Sequence, residues 1–352
     1  MKRLSSASLC MIAKNEEIFL GTALRSAKSI FSLRDIVVVD TGSTDKTKDI
    51  ALEFGAAVFD FKWCDDFSAA RNFAASKAKN DWIFVLDADE EVMEADIVEL
   101  EDCFADNHTV GSVTRIELSD KATSNESRLY NRNNYRYEYS IHEQITPLGH
   151  LQKVVQAVPI LIAHHGYISE FGRVEEKLRR NERLLKNELS KHPDDPYLLH
   201  QLGKSFFCDD RDLPQALACF EKALSLSPDS RLGYVYDMVE CYGYTLLGTG
   251  QYEKALELMN DYAPRYGSNP RFRFLSAHIY QNNGMLVEAA ECYESCIGAD
   301  IADYMGITSF LSYYNIGVIL ECIGMVGDAI EMYERCGDYQ PAKNRLSELC
   351  KT

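Results

Sequence analysis

The segment WIFVLDADEEV, residues 82–92, is an apolar run that ends abruptly in acidic residues. Four carboxylates follow it, at Asp87, Asp89, Glu90 and Glu91. Three interpretations fit this pattern: a solvated acidic turn, the first turn of a helix whose dipole favours acids, and a site for a hard cation. Mg²⁺ and Mn²⁺ prefer oxygen ligands and share their remaining positions with phosphates. The position after a buried strand favours the cation site.

The first 165 residues or so alternate short β-rich runs with amphipathic helices. Strands are predicted at residues 8–13, 35–40, 57–61 and 82–86. Helices are predicted between them, the first capped by Asn15 and the third spanning 68–79. This order predicts a mostly parallel sheet with helices on both faces. Such sheets bind ligands beyond the carboxyl ends of their strands, where Asp40 and Asp87 to Asp89 fall.

From about residue 170 the strand signals disappear and the sequence predicts helices only. Residues 169–196 are predicted to form a connecting helix, and a helical repeat follows over 197–352. Small residues recur at twelve-residue steps, from Gly243 to Ala255, from Ala277 to Ala289 and from Gly317 to Ala329. They are expected where paired helices approach closely. These units, about four in number, resemble tetratricopeptide repeats, whose neighbours stack into an all-α solenoid.

The composition excludes some functions. The chain has 352 residues and a net charge of −17, so a nucleic-acid partner is not expected, because binding phosphates needs a basic surface. There is no run of about 18 apolar residues, so no membrane span is predicted. The N-terminus lacks the apolar core of a signal peptide, and the eleven cysteines include no CxxC pair. We therefore expect a soluble, cytoplasmic protein with free thiols.

Six motifs occur in a fixed order along the chain. They are LCMIAKNEE (9–17), IVVVDTGSTDKT (36–47), DDFSAARN (65–72), WIFVLDADEE (82–91), RYEYSIHEQI (136–145) and IAHHGY (162–167). Together they resemble a family 2 glycosyltransferase, and more narrowly the bacterial subgroup with C-terminal tetratricopeptide repeats. The resemblance implies an α/β GT-A (nucleotide-diphospho-sugar transferase) domain, here residues 1–168, before the all-α solenoid. It also implies an inverting reaction on a nucleotide-diphospho-sugar, with UDP the common nucleotide.

The resemblance assigns roles to individual residues. Asp89 and His164 correspond to metal ligands for Mg²⁺ or Mn²⁺, and Glu143 corresponds to the base that takes the proton of the acceptor. The expected contacts with the donor are Ala13, Lys14, Asn15, Glu16, Asp40, Arg71, Asp87 and Arg128. A guanidinium fork such as that of Arg71 suits a phosphate, and a carboxylate such as Asp40 can accept from a base or a ribose hydroxyl.

Each role has an alternative that the residues alone leave open. Arg71 could instead pair with Asp65 or Asp66 in a surface salt bridge, and Asp40 could cap a helix. Thr41 stands where the family often has a second acidic residue, which leaves the contact with the base open. His165 competes with His164 as a ligand. The arginines and tyrosines of residues 128–137 either grip the donor or form an exposed hairpin with cross-strand pairs.

The repeats bear on the acceptor. Tetratricopeptide repeats usually hold peptides or mediate self-association, and some members of this subgroup glycosylate peptides or proteins. A peptide or protein acceptor is therefore expected, with a cell-surface polysaccharide or lipid-linked glycan as the alternative; a homodimer through the repeats stays open. Two other classes of protein are alternatives. One is a non-catalytic nucleotide-sugar-binding scaffold. The other is a nucleotidyltransferase, which would need a glycine-rich basic loop after the first strand. The complete motif set disfavours the scaffold.

Overall fold

The computed structural model divides the chain into two compact units, Met1–Glu188 and Leu189–Thr352. It describes residues 7–31, 35–96, 100, 107–118, 123–165, 173–208, 212–299 and 306–349. Gly166 and Tyr167 of the last motif and the first residues of the predicted connecting helix lie outside these ranges.

The first unit is built on a mixed sheet whose strands are ordered β3-β2-β1-β4-β7-β6-β10-β5, and a separate hairpin joins β8 to β9. The strands are β1 (Ala7–Ala13), β2 (Ile36–Asp40), β3 (Ala57–Asp60), β4 (Trp82–Val85), β5 (Glu90–Ala95), β6 (Thr109–Glu117), β7 (Thr123–Asn131), β8 (Tyr135–Glu138), β9 (Gln144–Pro147) and β10 (Val154–His164). Strands β1 to β4 pair in parallel, whereas β7 pairs antiparallel to both β4 and β6.

Four helices accompany this sheet among the described residues: α1 (Leu20–Phe31), α2 (Thr47–Glu53), α3 (Phe67–Lys77) and α4 (Arg173–Lys191). Leu24 of α1 and Ala51 of α2 are fully buried in one apolar cluster with Leu9 and Phe84. Ala74 of α3 is buried in a second cluster with Val37, Val39 and Ile83. Successive side chains of a strand point to opposite faces, so the alternation of Ile83 and Phe84 places the two clusters on opposite sides of the sheet.

The second unit consists of helices in its described part. They are α5 (Pro196–Phe207), α6 (Leu213–Ser225), α7 (Gly233–Gly248), α8 (Tyr252–Tyr266), α9 (Pro270–Asn282), α10 (Leu286–Cys296), α11 (Phe310–Cys322), α12 (Val326–Glu334) and α13 (Gln340–Leu349). The first eight form four consecutive pairs that pack against one another. A Cβ added to Gly317 would lie 2.7 Å from the ring of Tyr333, and one added to Gly243 would lie 2.7 Å from Leu275. Gly317 therefore permits the close approach of paired helices that the spacing predicted, whereas Gly243 permits the approach of α9 from the next pair.

The predicted fold class is confirmed: an α/β unit precedes an all-α unit of helix pairs. The half of the sheet formed by β1 to β4 is parallel, as predicted, but the remainder is mixed. The prediction that Asn15 caps the first helix is wrong, because that helix begins at Leu20 and Asn15 has a left-handed backbone with φ of 57°. None of the described helices has the length and apolarity needed to cross a membrane. The nine described cysteines are free thiols.

Candidate active site

Asp87, the second residue after β4, lies between two buried arginines. Arg71 Nη2 donates to Asp87 Oδ1 at 2.8 Å, and Arg128 Nη2 donates to Asp87 Oδ2 at 3.0 Å. Burial disfavours the ionised form of Asp87, but Arg128 and Arg71 outweigh it and hold its pKa well below the ordinary value. Asp87 is therefore an anion whose position is fixed by residues of α3 and β7.

Glu90 contacts both Arg128 and the backbone of Asp87. Its Oε1 accepts from Arg128 Nη2 at 2.6 Å, and its Oε2 accepts from the backbone N–H of Asp87 at 2.9 Å. Its side chain is only 1% exposed, and burial raises its pKa while Arg128 opposes the increase. The acidic residues after β4 thus do not form a uniform solvated turn, because Glu90 points into the protein and anchors the backbone of Asp87.

Asp89 lies beside His164, the last residue of β10. The distance from Asp89 Oδ2 to His164 Nε2 is 3.1 Å, and the other ring nitrogen, Nδ1, lies 2.7 Å from Glu117 Oε2. Arg115 contacts the same Nδ1 at 2.8 Å. The hydrogen bond with Asp89 raises the pKa of His164, and burial opposes it. Two predicted metal ligands that are 75 residues apart in sequence therefore meet at one edge of the sheet.

Glu143 precedes β9 and contacts the same arginine as Asp87. Arg71 Nε donates to Glu143 Oε1, so one guanidinium bridges the two carboxylates. The segment before Glu143 is fixed on α3, where Phe67 N donates to Ser140 O at 2.9 Å. Tyr139 and His142 have positive φ values of 71° and 50°. Strained backbone of this kind is held by its surroundings and is frequent at functional sites.

The turn after β1 is bound to the loop after β2. Asn15 N donates to Ser43 Oγ at 2.9 Å, and Glu16 N donates to Thr47 Oγ1 at 2.7 Å. Ala13 O accepts from Thr41 N at 3.0 Å, while Lys14 is exposed. The segment TGSTDKT thus clamps residues 13–16 in place.

Asp40 is buried beneath that second loop. Its carboxylate accepts from Gly42 N at 3.1 Å and from Ser43 N at 3.0 Å. Burial disfavours the charged form, but the hydrogen bonds from Ser43 and Gly42 outweigh it and lower the pKa of Asp40. Asp40 orders the loop that faces residues 13–16. It does not cap a helix, because α2 begins only at Thr47.

The structure decides between several alternatives. Arg71 does not pair with Asp65 or Asp66: Asp65 binds Arg183, and Asp66 caps α3. The His165 side chain does not share the contact between the Asp89 carboxylate and His164, since its Nε2 lies 3.1 Å from Glu91 and its ring stacks on Phe19. The backbone N–H of His165 donates instead to the Asp89 carbonyl at 3.0 Å.

The exposed hairpin of arginines and tyrosines is also wrong. Tyr130, Tyr135 and Tyr137 are buried. Arg132 donates to carbonyls at the end of α3, and Arg136 pairs with Glu138 at the surface. Of the three arginines in that stretch, Arg128 alone contacts the carboxylates at the end of β4.

Three residues of the site were missed from sequence. Glu90 is indistinguishable in the sequence from the rest of the acidic run, and Arg115 and Glu117 of β6 belong to none of the six motifs. Their spacing of two on a strand puts them on one face, which was the available signal. That face belongs to the site only because β6 pairs with β10 and places Glu117 opposite His164.

Comparisons with known proteins give matches in both units of the chain. Residues 8–155 match the model of the family described as Glycosyl transferase family 2, and residues 270–300 match a Tetratricopeptide repeat model. A TPR repeat-containing protein of Synechococcus elongatus is 30% identical over 84% of this chain and 76% of its own length. The prophage-derived glycosyltransferase SunS of Bacillus subtilis is 26% identical over 61% of this chain.

Two further similarities are more limited. An uncharacterised glycosyltransferase of Rickettsia bellii is 40% identical over 28% of this chain and 32% of its own. The solved structure of the TPR protein YrrB aligns with 51% of this chain and 87% of its own, at 20% identity and a TM-score of 0.42. The chain spans about half the length of SunS, at 52%. From the family model and the relative that it matches over most of its length, this chain belongs to the family 2 glycosyltransferases and carries tetratricopeptide repeats.

Proposed function

We propose that this glycosyltransferase moves a sugar from a nucleotide-diphospho-sugar, preferably a UDP-sugar, to an acceptor, with inversion at the anomeric carbon and with bound Mg²⁺ or Mn²⁺. The pairing of Asp89 with His164 next to Asp87 carries the proposal. It lies at the carboxyl end of β4, the place where α/β sheets bind their ligands. The preference for UDP rests on the family resemblance.

Asp89 and His164 fit a divalent cation that also binds phosphate. Among the described residues no three His, Cys, Asp or Glu side chains gather around one point. Two suffice here, because Mg²⁺ in phosphate sites takes one or two carboxylates and completes its shell with phosphate oxygens and water. Glu117 behind His164 matches the carboxylate that orients a metal-binding histidine. A cation at this position would offset the negative charge that grows on the leaving diphosphate.

Arg71 and Arg128 are proposed to hold the diphosphate. Both are 8% exposed, and within the described ranges Arg71 Nη1 and Arg128 Nε are buried donors without an acceptor. A buried donor left unpaired costs about 1–3 kcal/mol. Phosphate oxygens would supply the missing acceptors, and a guanidinium presents its N–H groups in a geometry that suits them.

The nucleoside is proposed to lie against residues 13–16. Lys14 and Asn15 are exposed there. Hydrogen bonds from the backbone N–H groups of Asn15 and Glu16 to Ser43 and Thr47 hold this turn in place. Asp40 acts on the nucleoside through the loop that it orders, because its own carboxylate is turned to Gly42 and Ser43.

Glu143 is proposed as the base that takes the proton of the attacking acceptor. Its side chain is 13% exposed and shares Arg71 as an ion-pair partner with Asp87. Inversion in a single displacement requires such a base on the acceptor side. The acceptor is proposed to be a peptide or protein side chain, held with help from the repeats of the second unit.

The test is calorimetry with UDP, GDP and dTDP, each with Mn²⁺ and with EDTA, on the wild-type chain and two variants. Asp89→Asn should weaken the metal-dependent binding and lower turnover of the bound nucleotide's sugar by roughly 100-fold, because charge stabilisation of the leaving group is lost. Glu91→Gln is the matched control from the same motif, since Glu91 pairs with His165 instead.

The metal site is supported if one nucleotide binds, if EDTA abolishes that binding, and if Asp89→Asn weakens it while Glu91→Gln does not. Binding that is equally strong in EDTA, or equally weakened in Glu91→Gln, contradicts it. Binding of none of the three nucleotides contradicts the proposed donor.

A further inference from the structure

Helix α4 is fixed on the first unit along one side of the candidate active site. Arg183 makes a two-pronged ion pair with Asp65, at 2.8 and 3.0 Å. The Arg180 guanidinium lies 5.3 Å from the ring of Phe67, the first residue of α3. These contacts attach the helix to the start of α3, the helix that carries Arg71.

The attached face of α4 runs the length of the helix. Lys177, Arg180, Leu184 and Glu188 are spaced by three, four and four residues, so they share one face. Leu184 is 1% exposed, and Glu188, 5% exposed, accepts from the backbone N–H of Ser140 at 3.3 Å. Lys177, an exposed residue, thus lies on the face whose Arg180 and Glu188 contact the first unit.

Lys177 is within electrostatic range of carboxylates of the candidate active site. Burial lowers its pKa, and the carboxylates of Asp89, Asp87 and Glu16 lie near enough to oppose that decrease. Its side chain still has an exposed surface from which it can reach a bound molecule. These three carboxylates belong to the proposed metal ligand, the segment after β4 and the proposed nucleoside turn.

The charges of the site leave a place for a further cation. Arg71 is engaged by Asp87 and Glu143, and Arg128 by Asp87 and Glu90. A diphosphate would add negative charge beside Asp87 and Asp89, and the arginines nearby, Arg115 included, already pair with carboxylates. An ammonium is a compact charge with three rotatable donors on a flexible stem, and it can follow a phosphate that changes its charge during reaction.

We infer that Lys177 of α4 binds the diphosphate of the donor, so that α4 contributes to the active site besides linking it to the repeats. The inference rests on the proposed nucleotide-diphospho-sugar donor. It assigns a binding role to a residue outside the six motifs and outside the strands that form the sheet.

The test compares Lys177→Met, Lys177→Arg and Lys186→Met in the full-length chain. Lys186 is on the same helix and pairs with Glu182 four residues away, so its variant removes the same charge from α4 without touching the site. Calorimetry measures the Kd of UDP with Mn²⁺, or of GDP or dTDP if that nucleotide binds the wild type best. Thermal unfolding without nucleotide monitors packing.

Lys177→Met should weaken nucleotide binding by about tenfold or more, the size of one charge-assisted hydrogen bond. Lys177→Arg should restore most of it, Lys186→Met should bind as the wild type does, and all three should unfold at the wild-type temperature. If Lys177→Met binds the nucleotide with the wild-type Kd, the inference is overturned, while the proposed donor is still supported by the binding of the wild type. A loss shared by Lys186→Met, or accompanied by a lower unfolding temperature, also overturns it. A wild type that binds none of the nucleotides shows instead that the proposed donor is wrong.

Discussion

At the scale of single residues, Arg71 joins the carboxylate after β4, on the proposed donor side, to Glu143, the proposed base. It contacts Asp87 through Nη2 and Glu143 through Nε, and Asp87 is held a second time by Arg128. The Arg71 contact orients the Glu143 carboxylate and sets a positive charge against it. A change at Glu143 can therefore act in two ways, by removing a base or by releasing Arg71.

Glu143→Gln separates these two effects. The amide oxygen of glutamine can still accept from Arg71 Nε, but it cannot take a proton. We expect nucleotide affinity to stay within about twofold, and hydrolysis of the nucleotide sugar to fall by roughly 10²- to 10⁴-fold, the contribution of a general base. Calorimetry and a hydrolysis assay without acceptor measure the two quantities.

The control for this variant is Glu138→Gln. Glu138 is an acid of the neighbouring strand β8 that also pairs with an arginine, Arg136, but at the surface. It should change neither quantity. If Glu143→Gln loses nucleotide affinity together with hydrolysis, Glu143 positions Arg71 and is not the base.

Residue types in short motifs indicated much of the site, because apolar strands that end in Asp40 and Asp87 are visible in one sequence. The partners of these residues were not visible. Glu117 reaches His164 across the β6–β10 pairing, and the charge of Asp89 acts on Lys177 of a helix 88 positions later in the chain. Both relations depend on long-range pairing, for which a single sequence carries no local signal.

At the scale of elements, the parallel strands were easier to predict than the antiparallel ones. β2 and β4 are buried along their whole length and appear as continuous apolar runs. β7, with the sequence TSNESRLYN, is exposed at its start and buried only at its end. Such a strand has neither alternation nor an apolar run, so neither pattern identifies it.

The repeats allow a sharper test of packing between elements. A Cβ on Gly317 of α11 would lie 2.7 Å from the ring of Tyr333, which is 1% exposed and cannot move freely. Gly317→Ala should therefore lower the free energy of unfolding of the repeats by about 1–3 kcal/mol, the usual cost of overpacking. Urea unfolding followed by far-UV circular dichroism measures it.

Gly327 of α12 provides the matched control. A Cβ there meets no atom within 4 Å, and its φ is not positive, so Gly327→Ala should leave stability unchanged or raise it by up to about 1 kcal/mol through helix propensity. Equal effects of the two substitutions would show that Gly317 has no role in the approach of α11 to α12.

At the scale of the whole molecule, the chain consists of two units, and α4 belongs with the first of them up to Glu188. Leu184 and Leu185, which belong to that unit, are buried at 1% and 0% exposure, and each contributes about 1.5–3 kcal/mol by its burial. Where the chain is cut therefore decides whether a fragment keeps its donor site. A boundary at residue 168, set by the end of the strand pattern, removes α4, whereas a boundary at 191 keeps it.

Two fragments, 1–191 and 1–168, test this division. Fragment 1–191 should bind UDP with Mn²⁺ as the full chain does and hydrolyse the UDP-sugar slowly. It should not glycosylate a macromolecular acceptor, because it lacks the repeats that are proposed to help hold the acceptor. Fragment 1–168 should unfold at a lower temperature and bind UDP more weakly, because it lacks both leucines, Arg183 and Lys177. Calorimetry, thermal unfolding and an acceptor assay compare them. Equal stability and affinity of the two fragments would show that α4 serves the repeats alone, and full acceptor transfer by 1–191 would remove the second unit from the reaction.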